Sequence, residues 1–285
     1  FRAGATEADT VQIPVDPGSS RSTSDVAARF PPLPVDQMPM ATVTASASGY
    51  VSNSLTVTVS APAITVADDE SIFDRRVGGG LQDTWEVRLA RGEHGGATVR
   101  VATSDTSRVL VAESPLAVGA SSIDLTFAPG ETLKRFYVHG VRGATGSATI
   151  SATEPRFRVG QETVDVVEPL LEIAGLSTIP SVSGGNDPFE IRTLIPSTRD
   201  EQEVSATQGT LSVLLESSNG SACRLLTGTE IGQAATIQIE ANESRSAGSV
   251  IEGGVELEPI APGDCIISVG ATDFAGDSRA LSVSP

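Results

Sequence analysis

Aromatic side chains are scarce: one tryptophan, two tyrosines and eight phenylalanines in 285 residues. A sugar-binding face built from several exposed rings is therefore a poor fit, all the more because Trp85 falls on an alternating strand pattern that assigns it to a core. Lysine occurs once, at Lys134, and 19 basic residues face 36 acidic ones for a net charge of -17. With no basic surface to displace counterions along a phosphate backbone, nucleic-acid binding is excluded. The other 18 basic residues are arginines, a bias with little functional weight. The two histidines, His94 in the turn Arg91–Gly96 and His139 at a strand end, have neither the spacing nor the cysteine neighbours of a zinc site and read as surface or rim residues. A Gly-x-Ser-x-Gly elbow, a phosphate loop and a dinucleotide fingerprint are all missing, which argues against an enzyme. No apolar run approaches the ~20 residues of a membrane-spanning helix. Cys223 and Cys265 are the only cysteines, compatible with one disulfide in an oxidising compartment or with two reduced core thiols.

What is present is a repeat. Ala41–Ala45, Tyr50, Val57 and Pro62 recur 107 residues later as Ala148–Ala152, Phe157, Val164 and Pro169. A third copy, offset by a further 117 residues, runs through Cys265–Val269, Phe274 and Leu281. Trp85–Arg88 matches Phe189–Arg192, each behind a double glycine (Gly79-Gly80 and Gly184-Gly185), and Thr98–Val101 matches Thr210–Val213. At the start, Phe1–Gly4 followed by Thr10–Ile13 matches Phe127–Gly130 followed by Arg135–Val138, so the chain reads as a mature or excised segment opening in mid-repeat. An insertion is then needed, and Pro17–Pro39, rich in Ser and Pro, is where it belongs. Within it Ser24–Arg29 is expected to form at most one helical turn, capped by Ser24.

Period-two alternation in Trp85/Val87/Leu89, Val99/Val101, Ile123/Leu125/Phe127, Ile237/Ile239 and Ile267/Val269 marks short strands broken by turn residues. The fold class is all-β: tandem immunoglobulin-like sandwiches, the first one partial. The expected domains are 1–62, the C-terminal part of a repeat with an inserted loop at about 17–39; 63–169; and 170–285.

Thr98–Val109, Leu125–Gly130 and Gly146–Ala152 resemble the bacterial Ig-like repeats of large surface and secreted proteins, and the third unit, through Ser221–Leu225 and Pro262–Ser268, is similar to a cysteine-bearing variety. That resemblance implies an extracellular or cell-surface setting and a bridge between Cys223 and Cys265. It also implies a non-enzymatic structural role in a stalk, filament, sheath or adhesin, with neighbouring copies or other domains of the same assembly as partners. The Pro17–Pro39 loop, with Ser24, Arg29 and Phe30, is the expected interaction loop. The alternatives are a carbohydrate-binding accessory region of a secreted hydrolase and a calcium-stiffened adhesin stalk. For calcium the candidate ligands are Asp68, Asp69 and Glu70 with Asp74, and Asp273 with Asp277. No spacing matches a defined calcium loop, so solvated turn residues are the favoured reading and no cofactor is expected. Asn219-Gly220-Ser221 and Asn242-Glu243-Ser244 are glycosylation-type triplets, the first equally explained as a tight turn.

Overall fold

The computed structural model describes residues 2–3, 6–7, 9–22, 25–27, 40–58, 60–68 and 75–285. The interaction-loop residues Ser24, Arg29 and Phe30 and the acidic residues Asp69, Glu70 and Asp74 lie outside them. Two units are distinguished: Phe1–Pro62 with Pro155–Arg158, and Ala63–Glu154 with Val159–Pro285.

The first unit holds short strands β1 (Arg2–Ala3), β2 (Thr6–Glu7) and β3 (Val26–Ala27), in the order β2-β1-β3, and a hairpin of β4 (Met40–Ala45) and β5 (Asn53–Thr58). Val26 and Ala27 are extended and paired with Ala3 and Arg2, in place of the expected helical turn. One turn of helix offers too few hydrogen bonds to compete with a strand partner. Thr10–Ile13, which matches Arg135–Val138 in the repeat, belongs to no strand.

In the second unit, residues 64–167 form two facing sheets. One contains β6 (Ile64–Asp68), β8 (Leu81–Leu89), β10 (Val109–Ala112) and β12 (Leu133–Gly140) in the order β10-β12-β8, with β6 on the far side of β8. The other has the order β11-β9-β13-β14-β7, from β7 (Arg76–Gly78), β9 (Ala97–Thr103), β11 (Ser122–Phe127), β13 (Gly146–Thr153) and β14 (Gly160–Val167). The first strand thus switches sheets: β6 pairs antiparallel with β8, and β7 pairs parallel with β14. Gly140 permits the crossing, since a Cβ there would lie 2.2 Å from the Gly78 carbonyl oxygen. Alternation sends Ala97, Val99 and Val101 inward and Thr98 and Arg100 outward. The core holds Trp85 edge-on to Phe136, ring centroids 6.5 Å apart, with Val87, Val111, Phe127, Ile150 and Val164.

After only Glu168 and Pro169 the chain enters the second sandwich. Its strands are β15 (Leu170–Ala174), β16 (Asp187–Leu194), β17 (Glu203–Val204), β18 (Leu211–Ser217), β19 (Cys223–Leu226), β20 (Ile231–Gly232), β21 (Ala234–Ile239), β22 (Val255–Pro259), β23 (Gly263–Ala271) and β24 (Phe274–Val283). The order is β20-β19-β22-β16-β15-β24-β23-β18-β21, with β15 joining its two halves through a parallel contact of Leu170 with Ala275. Leu211, Val213, Leu215, Ile237, Ile239, Leu257 and Ile267 fill its core. Cys223 on β19 and Cys265 on β23 are bonded across that core, Cα atoms 6.6 Å apart. The one helical element among the described residues is a 3₁₀ turn, Val250–Glu252, and no helix is long and apolar enough to cross a membrane.

Candidate functional site: the joint between the sandwiches

The sheet switch of β6 and β7 decides what happens where the two sandwiches meet. β6 covers only Trp85–Leu89 of β8, so the ladder groups of Leu81 and Gln82 are left at an open edge. An exposed edge of backbone donors and acceptors is a template for a further strand. β17 of the second sandwich occupies it, pairing Glu203 with Gln82 and Val204 with Leu81, and the Ser205 amide donates to the Gly80 carbonyl at 3.0 Å. Val204 is also tied to its own sandwich, donating to Glu243 O at 2.9 Å and accepting from the Asn242 amide at 2.8 Å.

Two buried glutamines, one from each sandwich, reach across the joint to backbone groups of the other. Gln82 accepts from the Ala206 amide at 3.2 Å and donates to Glu203 Oε2 and Asn242 Oδ1, both at 3.1 Å. Gln202 accepts from the Gly78 amide at 2.9 Å and donates to Arg76 O at 2.8 Å, so its side-chain amide pairs with β7 as a peptide group would. Buried amides satisfied at both ends favour one arrangement, because any slip leaves donors and acceptors unpaired. Leu81, fully buried, belongs to the hydrophobic cluster of the second sandwich, with Val204 and Leu171. At the rim Arg142 donates to Thr272 O at 3.0 Å and pairs with Asp273 at 3.3 Å, and Arg76 bonds to Ser197 Oγ.

His139 sits inside this joint. Both histidines are buried, not at the surface as expected: His94 packs in a turn, and His139 lies in β12 between Leu110 and Gln82. His94 holds the 90–96 turn, Nε2 to Glu131 O at 2.8 Å and Nδ1 accepting from the Gly96 amide at 3.1 Å. The Thr207 hydroxyl accepts from the Gly119 amide at 2.8 Å and lies at hydrogen-bond distance, also 2.8 Å, from His139 Nδ1. The groups around the ring, Gln82 and Leu110 across the two ladders and Gly119, Ser205 and Thr207, carry no charge. Burial lowers its pKa from 6.5 to about 4. The unfolded chain takes up this proton as the pH falls through about 6.5 while the folded chain does not until about 4, so the contribution is complete above 6.5 and lost on descent. It amounts to about 3 kcal/mol over the interval. Thermal melts from pH 7.5 to 5 should show a falling midpoint for the wild type and a flatter profile for His139→Gln; identical slopes would refute this role.

Among the described residues, the acidic candidates Asp68, Asp273 and Asp277 are not gathered into one site. Asp68 ends β6. Asp273, at φ 62°, faces Arg142. Asp277 accepts from the Ile173 amide at 3.0 Å and lies 3.7 Å from Arg279. No group of three or more metal-binding side chains occurs among the described residues. Both glycosylation-type asparagines are engaged: Asn219 donates to Asp264 O at 3.0 Å and accepts from Ser221, and Asn242 accepts from Gln82. A cavity of about 490 Å³ beside the disulfide is lined by Thr178, Ser218, Asp264, Ile266 and Leu281 and offers no aromatic face.

The joint residues Leu81, Gln82, Gln202 and Val204 carry no motif. The available signal is a length difference: between Arg192 and Thr210 the chain is eight residues longer than between Arg88 and Thr98, and the extra residues build the loop that bears β17.

No protein-family model matches the sequence, and no curated protein matches it. Solved structures with similarity include S-layer protein SbsC domains 4 and 5, 26% identical over 40% of this chain and 59% of that one, TM-score 0.25. Yersinia pseudotuberculosis adhesin InvE is 13% identical over 78% of this chain and 60% of that one, TM-score 0.31. A β-glycosidase from Bacteroides vulgatus is 11% identical over 79% of this chain and 25% of that one, TM-score 0.31. The chain spans less than two thirds of the length of each.

Proposed function

We propose that the chain is a non-enzymatic, load-bearing segment of an extracellular surface assembly, in which the two sandwiches of residues 63–285 act as one stiff element. The observation that carries this reading is the joint: a two-residue linker containing proline, a strand of one sandwich completing the edge of the other, and reciprocal buried glutamines. A short linker with Pro169, whose carbonyl accepts from the Ala275 amide at 2.8 Å, leaves few torsions free. Interfaces within a chain that are merely polar permit domain motion; strand addition across the interface opposes it. An inter-sheet disulfide suits an oxidising setting, and the charge of -17 keeps such elements apart and soluble. Surface location, a stalk, sheath or adhesive role and neighbouring copies as partners belong to this proposal.

Small-angle X-ray scattering of residues 63–285 within the full chain tests it. The wild type should fit one fixed angle between the sandwiches, and Gln82→Ala combined with Gln202→Ala should broaden the distribution while each sandwich stays folded. A broad distribution in the wild type would sink the stiff-element reading, and saturable binding on a glycan array, with or without calcium, would favour the carbohydrate-binding alternative.

A further inference from the structure

His139 faces outward from its own sandwich and is covered by the next. In β12 the inward residues are Phe136 and Val138, so Arg135, Tyr137 and His139 share the outer face of the sheet. Along that face burial rises toward the joint: Arg135 is exposed, Tyr137 half-buried and His139 fully buried. The turn that follows β17 closes over the ring, with Thr207 Oγ1 2.8 Å and Ser205 Oγ 3.4 Å from Nδ1. Gly119, whose amide bonds to the same threonine, completes the cover.

This enclosure suits a neutral ring only. Nε2 is buried and makes no hydrogen bond among the described residues. Whichever nitrogen holds the proton at neutral pH, the protonated ring carries an N–H on both, and the one on Nε2 meets no acceptor. Nor does an opposite charge stand by among the described residues. On the same face of the sheet, β8 places the uncharged Gln82 opposite the ring with Glu86 four residues further along, β10 places Leu110 opposite it, and β12 itself has Arg135 four residues back. Arg142, beyond the end of β12, is turned to Asp273. In the 113–120 loop the charged side chain is Glu113, which is exposed. From the second sandwich comes Glu203, whose carboxylate is bonded to Gln82. Burial alone accounts for the lowered pKa of the ring, with no charged neighbour contributing.

The cover is also the part that can yield. The strand bearing the ring is laddered on both sides within its own sheet, whereas β17 is held to β8 by the pairs of Glu203 with Gln82 and Val204 with Leu81. Val204 is bonded to Asn242 and Glu243 as well, so β17 leaves together with its own sandwich.

We infer that His139 is an acid-sensitive latch: its protonation releases the β17 turn from β8 while both sandwiches stay folded, converting residues 63–285 from one stiff element into a pair hinged at Glu168 and Pro169. This inference rests on the stiff-element reading above. The ring titrates near 6.5 when the joint is open and near 4 when it is closed, so the open fraction rises about tenfold per pH unit on descent between those values. From pH 7.5 to 5 the rise is about 30-fold.

Hydrogen exchange of the full chain between pH 7.5 and 5, above the usual carboxylate range, tests the latch. Four amides bond across the joint: Gly78 to Gln202, Ser205 to Gly80, Ala206 to Gln82 and Gly119 to Thr207. Their protection factors should fall about 30-fold, while Ala120, bonded to Val111, and Asn242, bonded to Val204, keep theirs. His139→Gln should abolish the pH dependence. Unchanged protection at the four amides overturns the inference. So does an equal fall at Ala120 and Asn242, which would mean unfolding in place of hinging, or an equal fall in His139→Gln, which would assign the effect to another group. Should that variant not fold, the titration of the wild-type ring decides. With two histidines to assign, an NMR midpoint for His139 well below that of the urea-unfolded chain supports the latch, and one near 6.5 overturns it. Scattering at pH 7.5 tests the stiff element separately: a broad distribution there ends that reading and the latch with it, whereas a narrow one with unchanged exchange ends the latch alone.

Discussion

Replacing Cys223 and Cys265 together by alanine should lower the unfolding free energy of the second sandwich by about 4 kcal/mol in the chain-entropy account. The bond closes a loop with a sequence separation of 42, and its ends lie on β19 and β23, one in each half of the sandwich. It therefore restrains the denatured chain and ties the two layers at once. Both sulfurs sit in the apolar cluster, so the double alanine variant also leaves a small gap, whose cost adds to the entropic one. Urea unfolding followed by circular dichroism is the direct measurement. The midpoint should fall clearly with the native baseline preserved, and reduction of the wild type with dithiothreitol should reproduce the effect. A midpoint within error of the wild type in both experiments would remove the bond from the account of stability. The first sandwich has no such bond and holds Trp85, Phe136 and Phe127 at its centre instead. An effect confined to the second transition, if two are resolved, would place the restraint where the structure does.

Much of the fold was legible because period-two alternation acts residue by residue. Trp85, Val99, Val101, Ile237 and Ile267 point inward as their spacing implies, since a strand with one buried face has no other register available. The equivalence of Tyr50, Phe157 and Phe274 holds in chain position and fails in environment, because burial depends on which strands lie opposite and a local pattern cannot report that. The histidines show the same limit. Sequence neighbours made His94 and His139 look like rim residues, while their burial comes from Glu131 in one case and Thr207 in the other, 37 and 68 positions away. The joint was the least legible part. Gln82 and Gln202 are polar residues with no periodicity, and their importance lies in matching backbone groups more than 120 positions distant.

Leu81→Ala should show whether the joint makes one cooperative body of residues 63–285. Leu81 enters the chain as part of β8 in the first sandwich but is buried in the hydrophobic cluster of the second, so its truncation removes apolar contact from both partners at their shared edge. A fully buried leucine cut to alanine costs about 2–5 kcal/mol, depending on how far the surroundings collapse. Collapse is opposed here by β17, whose Val204 is held at the ladder and again by Asn242 and Glu243. The upper part of that range is therefore expected. The effect should appear as a change of kind as well as size: calorimetry of the wild type should give one transition for the two sandwiches, and Leu81→Ala should split it, the sandwich with the disulfide surviving longer. Gln202→Leu, which keeps volume but removes the amide that pairs with β7, should act in the same direction. Because the two changes share one interface, combining them should cost less than the sum of the separate effects. Two resolved transitions in the wild type, unshifted by Leu81→Ala, would mean that the sandwiches unfold independently and that strand addition at the joint does not couple them.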